Sequence, residues 1–96
     1  MSVETLVQQA RQAYANQHWA DALDLFKQAD ALEPLGVDDL GLLAWAAGMR
    51  DRDDDIFATL ERLYGLYLDA GDLAMAARGA FMMGFRLLAL EEIGRA

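Results

Sequence analysis

The 96-residue chain contains no cysteine and a single histidine, and these two features exclude several kinds of site. Without thiols it can form neither a disulfide framework nor a thiolate metal site. One histidine cannot make a paired-histidine metal site, and His18 stands beside Trp19 at a predicted helix start, where a turn residue is expected. We therefore predict that the protein uses no metal and no cofactor.

The residues that carry out most hydrolytic chemistry are also scarce. Besides tyrosine, the hydroxyl side chains are Ser2, Thr5 and Thr59, and none of them lies beside a general base in the sequence. The acidic run 51–55 has the spacing of the first EF-hand ligands, but the glycine and the final glutamate of such a loop are missing. The sequence thus predicts that the protein is not an enzyme.

Basic residues are few, since 8 lysines and arginines face 16 acidic residues for a net charge of −8. A DNA-binding surface needs clustered basic side chains, so we predict no nucleic-acid partner. Arg78 and Arg86 interrupt the longest apolar stretch, which predicts that no segment crosses a membrane. The first residues lack the basic start and apolar core of a signal peptide, and together these features predict a cytoplasmic protein.

The spacing of apolar residues predicts an all-α domain over residues 1–96, because no stretch shows the alternation that a half-buried strand needs. Capping residues and breaks mark five helices, followed by a short C-terminal extension. These marks are Ser2 before helix 1, Trp19 at the start of helix 2, Asp38 before helix 3, Asp53 at the start of helix 4 and Asp72 before helix 5. The connections are short, which predicts that sequential helices pack as antiparallel hairpins.

The stretch from Asp72 to Leu90 is apolar on nearly every side of a helix and holds three charged side chains. A helix of this kind has to be buried on nearly every side. Six residues follow the stretch, too few for a covering layer, so we predict that a second copy covers it in a two-fold homodimer. If the natural chain is longer, its next helices would cover the same side. The residues predicted to mediate self-association are Met75, Phe81, Met82, Phe85 and Leu88.

Residues 10–34 carry a spacing of small and aromatic residues that resembles the tetratricopeptide repeat. The matching positions are Ala10, Trp19, Ala22, Phe26, Ala29 and Pro34. Small residues let two helices cross closely, the aromatic residues fill the space between them, and proline ends the unit. The sequence departs from the family at Gln17, where the family usually has glycine.

The resemblance implies a right-handed stack of antiparallel helix hairpins. In tetratricopeptide repeats the first helix of each pair lines the binding groove. Carried over by spacing, this rule implies that Glu4, Gln8 and Arg11 bind a protein or peptide partner.

A broader resemblance covers residues 37–54, 60–72 and 76–88, which are similar to the helical-repeat region of LuxR-type bacterial transcription regulators. Glu91 stands where that family tends to have glycine, which favours a helix 5 that continues past Leu90. The resemblance implies a non-catalytic interaction module with a scaffold or regulatory role in a bacterial regulator. The alternative is a segment that senses a small molecule among Trp45, Tyr64 and Phe85.

Overall fold

The computed structural model describes residues 2–95, with side-chain surroundings given for residues 2–89, and its regular secondary structure over this range is α-helical. The five helices are α1 (Val3–Ala15), α2 (Trp19–Leu32), α3 (Val37–Met49), α4 (Asp53–Asp69) and α5 (Leu73–Arg95). No strand occurs among the described residues, so the predicted all-α class with five helices is confirmed. The predicted C-terminal extension belongs to α5, which continues past Leu90 as the lack of glycine at position 91 suggests.

Two of the predicted capping residues begin their helices, whereas Asp38 does not, because α3 already begins at Val37 after Gly36. The Ser2 side chain accepts a hydrogen bond from the Thr5 N–H at 3.2 Å, and the Asp72 carboxylate accepts one from the Met75 N–H at the same distance. Each bond satisfies a backbone donor that the first turn of a helix leaves without an intrahelical partner. The starts of α1 and α5 are therefore fixed by local chemistry.

Packing divides the chain after Thr59 into two compact units. The first unit contains α1, α2, α3 and the first turns of α4, and the second contains the remainder of α4 and α5. The single domain over residues 1–96 stays a prediction. No helix in residues 2–95 is both long enough and apolar enough to cross a membrane.

The core of the first unit forms where α2 packs between α1 and α3. Phe26 on α2 is wholly buried, and Leu40 on α3 is buried with it. Trp19 is half-buried and packs edge-on against Tyr14, with ring centroids 5.2 Å apart. Alanines complete the core and allow close helix contacts; they are Ala10, Ala22, Ala29, Ala46 and Ala47.

The first unit repeats its own geometry at a fixed interval. The 13-residue helices α1 and α3 begin 34 positions apart, at Val3 and Val37. The helices that follow them begin the same interval apart, at Trp19 and Asp53. Buried side chains recur at this interval, with Leu6 and Ala22 corresponding to Leu40 and Ile56.

The turns after α1, α3 and α4 have the same conformation. The second residue of each turn has a positive φ: 61° at Gln17, 53° at Asp51 and 77° at Gly71. The N–H of this residue donates to the carbonyl of the residue three positions before it. The N–H of the next residue donates to the carbonyl of the residue five positions before that donor. This is the Schellman pattern, which satisfies the last carbonyls of a helix. The three helices therefore end by one shared mechanism, although glycine occupies the left-handed position in one turn alone.

Replacing Gln17 with glycine is expected to stabilise the protein. A residue with a side chain is strained in the left-handed region by about 1–2 kcal/mol. Glycine removes this strain, and the gain exceeds the loss of stability from the greater conformational entropy that glycine gives the unfolded chain. We expect the free energy of unfolding to rise by about 0.5–1 kcal/mol, measured by urea denaturation. The matched control is Asn16→Gly, because Asn16 has a negative φ of −88° and glycine relieves no strain there. A Gln17→Gly chain that is less stable than the unsubstituted one would contradict this explanation of the turn.

Candidate interaction surfaces

The second unit exposes one side of α5 that is almost entirely apolar. Phe81, Phe85 and Leu88 are 71%, 64% and 63% exposed, and Leu87 is also exposed. Apolar side chains of this size are normally buried, and a contiguous exposed group of them marks an interaction site. These residues include three of the five that the sequence predicts for self-association.

The opposite side of α5 is covered. Ala76 is buried, and Gly79, Met83 and Arg86 are half-buried. The sequence led us to expect burial on nearly every side of this helix, whereas the structure divides the helix into a covered side and an exposed side.

The two remaining residues predicted for self-association lie away from the middle of the exposed side. Met75 is half-buried. Met82 is exposed and lies at the edge of this side, about 100° around the helix from Phe81, as Leu87 does from Leu88. Self-association through all five residues stays a prediction, and the exposed side of α5 contains Phe81, Phe85 and Leu88.

A shallow apolar depression lies on this exposed side, around Gly84. Its lining consists of Phe81, Gly84, Phe85, Leu87 and Leu88. The rings of Phe81 and Phe85 are stacked, with centroids 6.4 Å apart and planes inclined by 24°. A methyl group built on Gly84 would meet no atom within 4 Å, so the missing side chain leaves open space there. The depression can therefore accept an apolar side chain from another molecule.

The α1 surface predicted to bind a partner consists of Glu4, Gln8 and Arg11, all of which are exposed. Positions four and three residues apart on a helix lie on one side, so the three side chains face the same direction. The structure thus brings together the residues that the resemblance implies. Their role in binding stays a prediction.

Arg11 also has a structural role that the sequence did not reveal. Its guanidinium donates two hydrogen bonds of 2.9 Å to the two carboxylate oxygens of Asp39, which joins α1 to α3. The pKa of Arg11 is raised above its already high ordinary value, first by this hydrogen bond and then by the charge of Asp39.

A second ion pair repeats the spacing of the first. Lys27 on α2 lies 3.1 Å from Asp55 on α4, and these residues are 28 positions apart, as are Arg11 and Asp39. Each pair joins a helix to the second helix after it. Neither pair is visible in the sequence, because a charged residue on a helix surface has many possible partners.

The other sites considered from the sequence gain no support from the geometry. Residues 2–95 contain no group of three or more histidine and acidic side chains that could hold a metal ion. Trp45 is exposed in the first unit, while Tyr64 and Phe85 belong to the second unit. Small-molecule sensing by these three residues stays a prediction.

Comparison with known proteins identifies no relative. No family model, curated protein or solved structure matches this chain. The resemblance to tetratricopeptide and LuxR-type helical repeats therefore depends on the residues and spacings described above.

Proposed function

We propose that this protein is a non-catalytic protein–protein interaction module that associates with itself through α5. The observation that carries the proposal is the exposed apolar side of α5, with Phe81, Phe85, Leu87 and Leu88 accessible. At roughly 1.5–3 kcal/mol for each large side chain fully buried, covering these residues can offset an association cost of about 4–15 kcal/mol. Association is therefore the activity that this surface supports best.

The module is proposed to be a stack of antiparallel helix hairpins of the tetratricopeptide type. Three features support this: the 34-position interval between α1 and α3, the shared turn conformation, and the two ion pairs with a 28-residue separation. An interval of 34 residues is the length of one tetratricopeptide unit. The small residues Ala10, Ala22 and Ala29 are buried, as close crossing of the first two helices requires.

The wider role follows from the resemblance of residues 37–54, 60–72 and 76–88 to bacterial regulators. We infer that the module acts as a scaffold or regulatory part of such a regulator in the cytoplasm. Its surfaces would hold a partner in position, and no chemical step is assigned to it.

The second proposed contact is between the α1 surface and a peptide of a partner protein. The net charge of −8 favours a basic peptide, because complementary charge speeds encounter and selects partners. Glu4 and Gln8 offer a carboxylate and an amide side by side. Arg11 faces the same side but also bonds Asp39, so a substitution there would change the fold as well as the surface.

A peptide-display selection tests the α1 surface. Peptides enriched on the unsubstituted chain are measured against the double variant Glu4→Ala/Gln8→Ala. We expect affinity to fall about tenfold or more, which corresponds to about 1.4 kcal/mol, because two side chains at the contact are removed.

The matched control for this test lies on α2. Asp24→Ala/Gln28→Ala removes an acidic residue and a glutamine at the same spacing from the second helix, where both are exposed. Its affinity should equal that of the unsubstituted chain. Equal affinity of both double variants, or no enriched peptide, would show that the α1 surface is not a binding site.

A further inference from the structure

The exposed side of α5 has the spacing of a helix–helix contact seam. Five of the exposed residues, starting at Ala74, follow one another at intervals of three, four, three and four positions. Alternation of this kind keeps the seam facing a second helix along its whole length. The seam residues are Ala74, Ala77, Phe81, Gly84 and Leu88.

The depression around Gly84 has the geometry of a receiving hole. In helix pairs of this type each projecting side chain enters a hole formed by four residues of the facing helix. Phe81, Gly84, Phe85 and Leu88 stand at positions i, i+3, i+4 and i+7, which enclose one such hole, and all four line the depression. Gly84 has no side chain, so this part of the hole is open.

We propose that a second copy of this chain fills the hole, with the two α5 helices antiparallel and Phe81 of each copy lying against Gly84 of the other. The same alignment sets Leu88 against Ala77. This inference rests on the proposed self-association and specifies its geometry.

Size complementarity favours the antiparallel alignment. In this alignment every central layer of the seam joins one large side chain to one small residue, because Phe81 meets Gly84 and Leu88 meets Ala77. A parallel alignment would set Phe81 against Phe81 and Gly84 against Gly84, which crowds one layer and leaves a gap in the next. Close packing without voids is the condition for a stable interface. Antiparallel helices also avoid placing like ends of their dipoles together.

The area is that of a small interface. Covering the exposed parts of Phe81, Phe85, Leu87 and Leu88 removes roughly 500 Å² from each copy, or about 1,000 Å² in total. That total is near the minimum for a specific interface, so the dimer is expected to be weak and to depend on concentration. A second copy brings an identical seam, and residues 77–88, which this alignment sets against each other, contain no acidic side chain.

Single cysteines test the alignment cleanly, because these 96 residues contain none. The full 96-residue chain is prepared as Ala77→Cys and, with a tag that changes its mass, as Leu88→Cys. Both are oxidised alone and as a mixture. The antiparallel seam predicts a covalent dimer in the mixture, since a disulfide needs Cα atoms within about 7 Å of each other. It predicts none for Ala77→Cys alone, because the two copies of that position lie 11 residues, about 16 Å, apart along the helices.

Sedimentation of the same samples separates the remaining outcomes. A disulfide formed by Ala77→Cys alone would overturn the antiparallel alignment in favour of a parallel one. A dimer that forms no disulfide in any sample would overturn the seam while leaving self-association standing. A monomer in every sample would overturn self-association itself, and with it the first part of the proposed function.

Discussion

Replacing Phe26 with alanine is expected to lower the free energy of unfolding by about 3–5 kcal/mol. Phe26 is wholly buried on α2, between the helices that form the core of the first unit. Removing the ring loses its transfer free energy and leaves a cavity, since neighbouring backbones close such a space only in part. Because a domain of this size is stable by about 5–15 kcal/mol, the loss should be visible as a large shift of the urea midpoint.

The control for this substitution is Leu32→Ala on the same helix. Leu32 is 62% exposed, so its removal leaves no cavity and should change the free energy of unfolding by about 0.5 kcal/mol or less. If both substitutions had equal effects, Phe26 would not be at the centre of a packed core. The packing of α1 and α3 around α2 would then be wrong.

The second large effect is expected from Phe81→Glu, which should convert the proposed dimer to a monomer. Each interface contains the ring twice, and each copy would bring an unpaired carboxylate into an apolar contact. We expect the dissociation constant to rise roughly a thousandfold or more, since each factor of ten corresponds to about 1.4 kcal/mol. Sedimentation measures the change. Far-UV circular dichroism should show unaltered helix content, because Phe81 is exposed within its own chain.

Met82→Glu is the matched control for Phe81→Glu. It changes the net charge equally on the neighbouring residue of the same helix, at a side chain that is also exposed. The antiparallel seam does not include Met82, so this variant should remain a dimer. Equal loss of dimer in both variants would indicate association through the wider set predicted from the sequence, which includes Met75 and Met82.

Most of the fold could be predicted because its limits are set locally. Ser2 and Asp72 begin helices with bonds that lie within one turn of chain, and the short connections leave little choice of topology. The interval of 34 positions between corresponding helices could not be predicted from such local signals. Few residues are identical at this interval, and the left-handed turn positions hold Gln17 and Asp51 where glycine would have marked them.

Which side of α5 is exposed also could not be predicted without the structure. Because apolar residues surround this helix, the sequence predicts strong burial but gives no periodic signal for direction. The burial of Ala76 and the exposure of Phe81 show which side of α5 is covered and which is exposed. Likewise, the resemblance predicts Arg11 as a surface residue, and the bond to Asp39 comes from the packing of α1 against α3.

The most direct test of self-association through α5 is sedimentation velocity of the unsubstituted chain from low to high micromolar concentration. Self-association predicts a concentration-dependent shift from monomer to dimer, and the Phe81→Glu chain should remain monomeric over the same range. A chain that sediments as a monomer at every concentration would contradict self-association through α5.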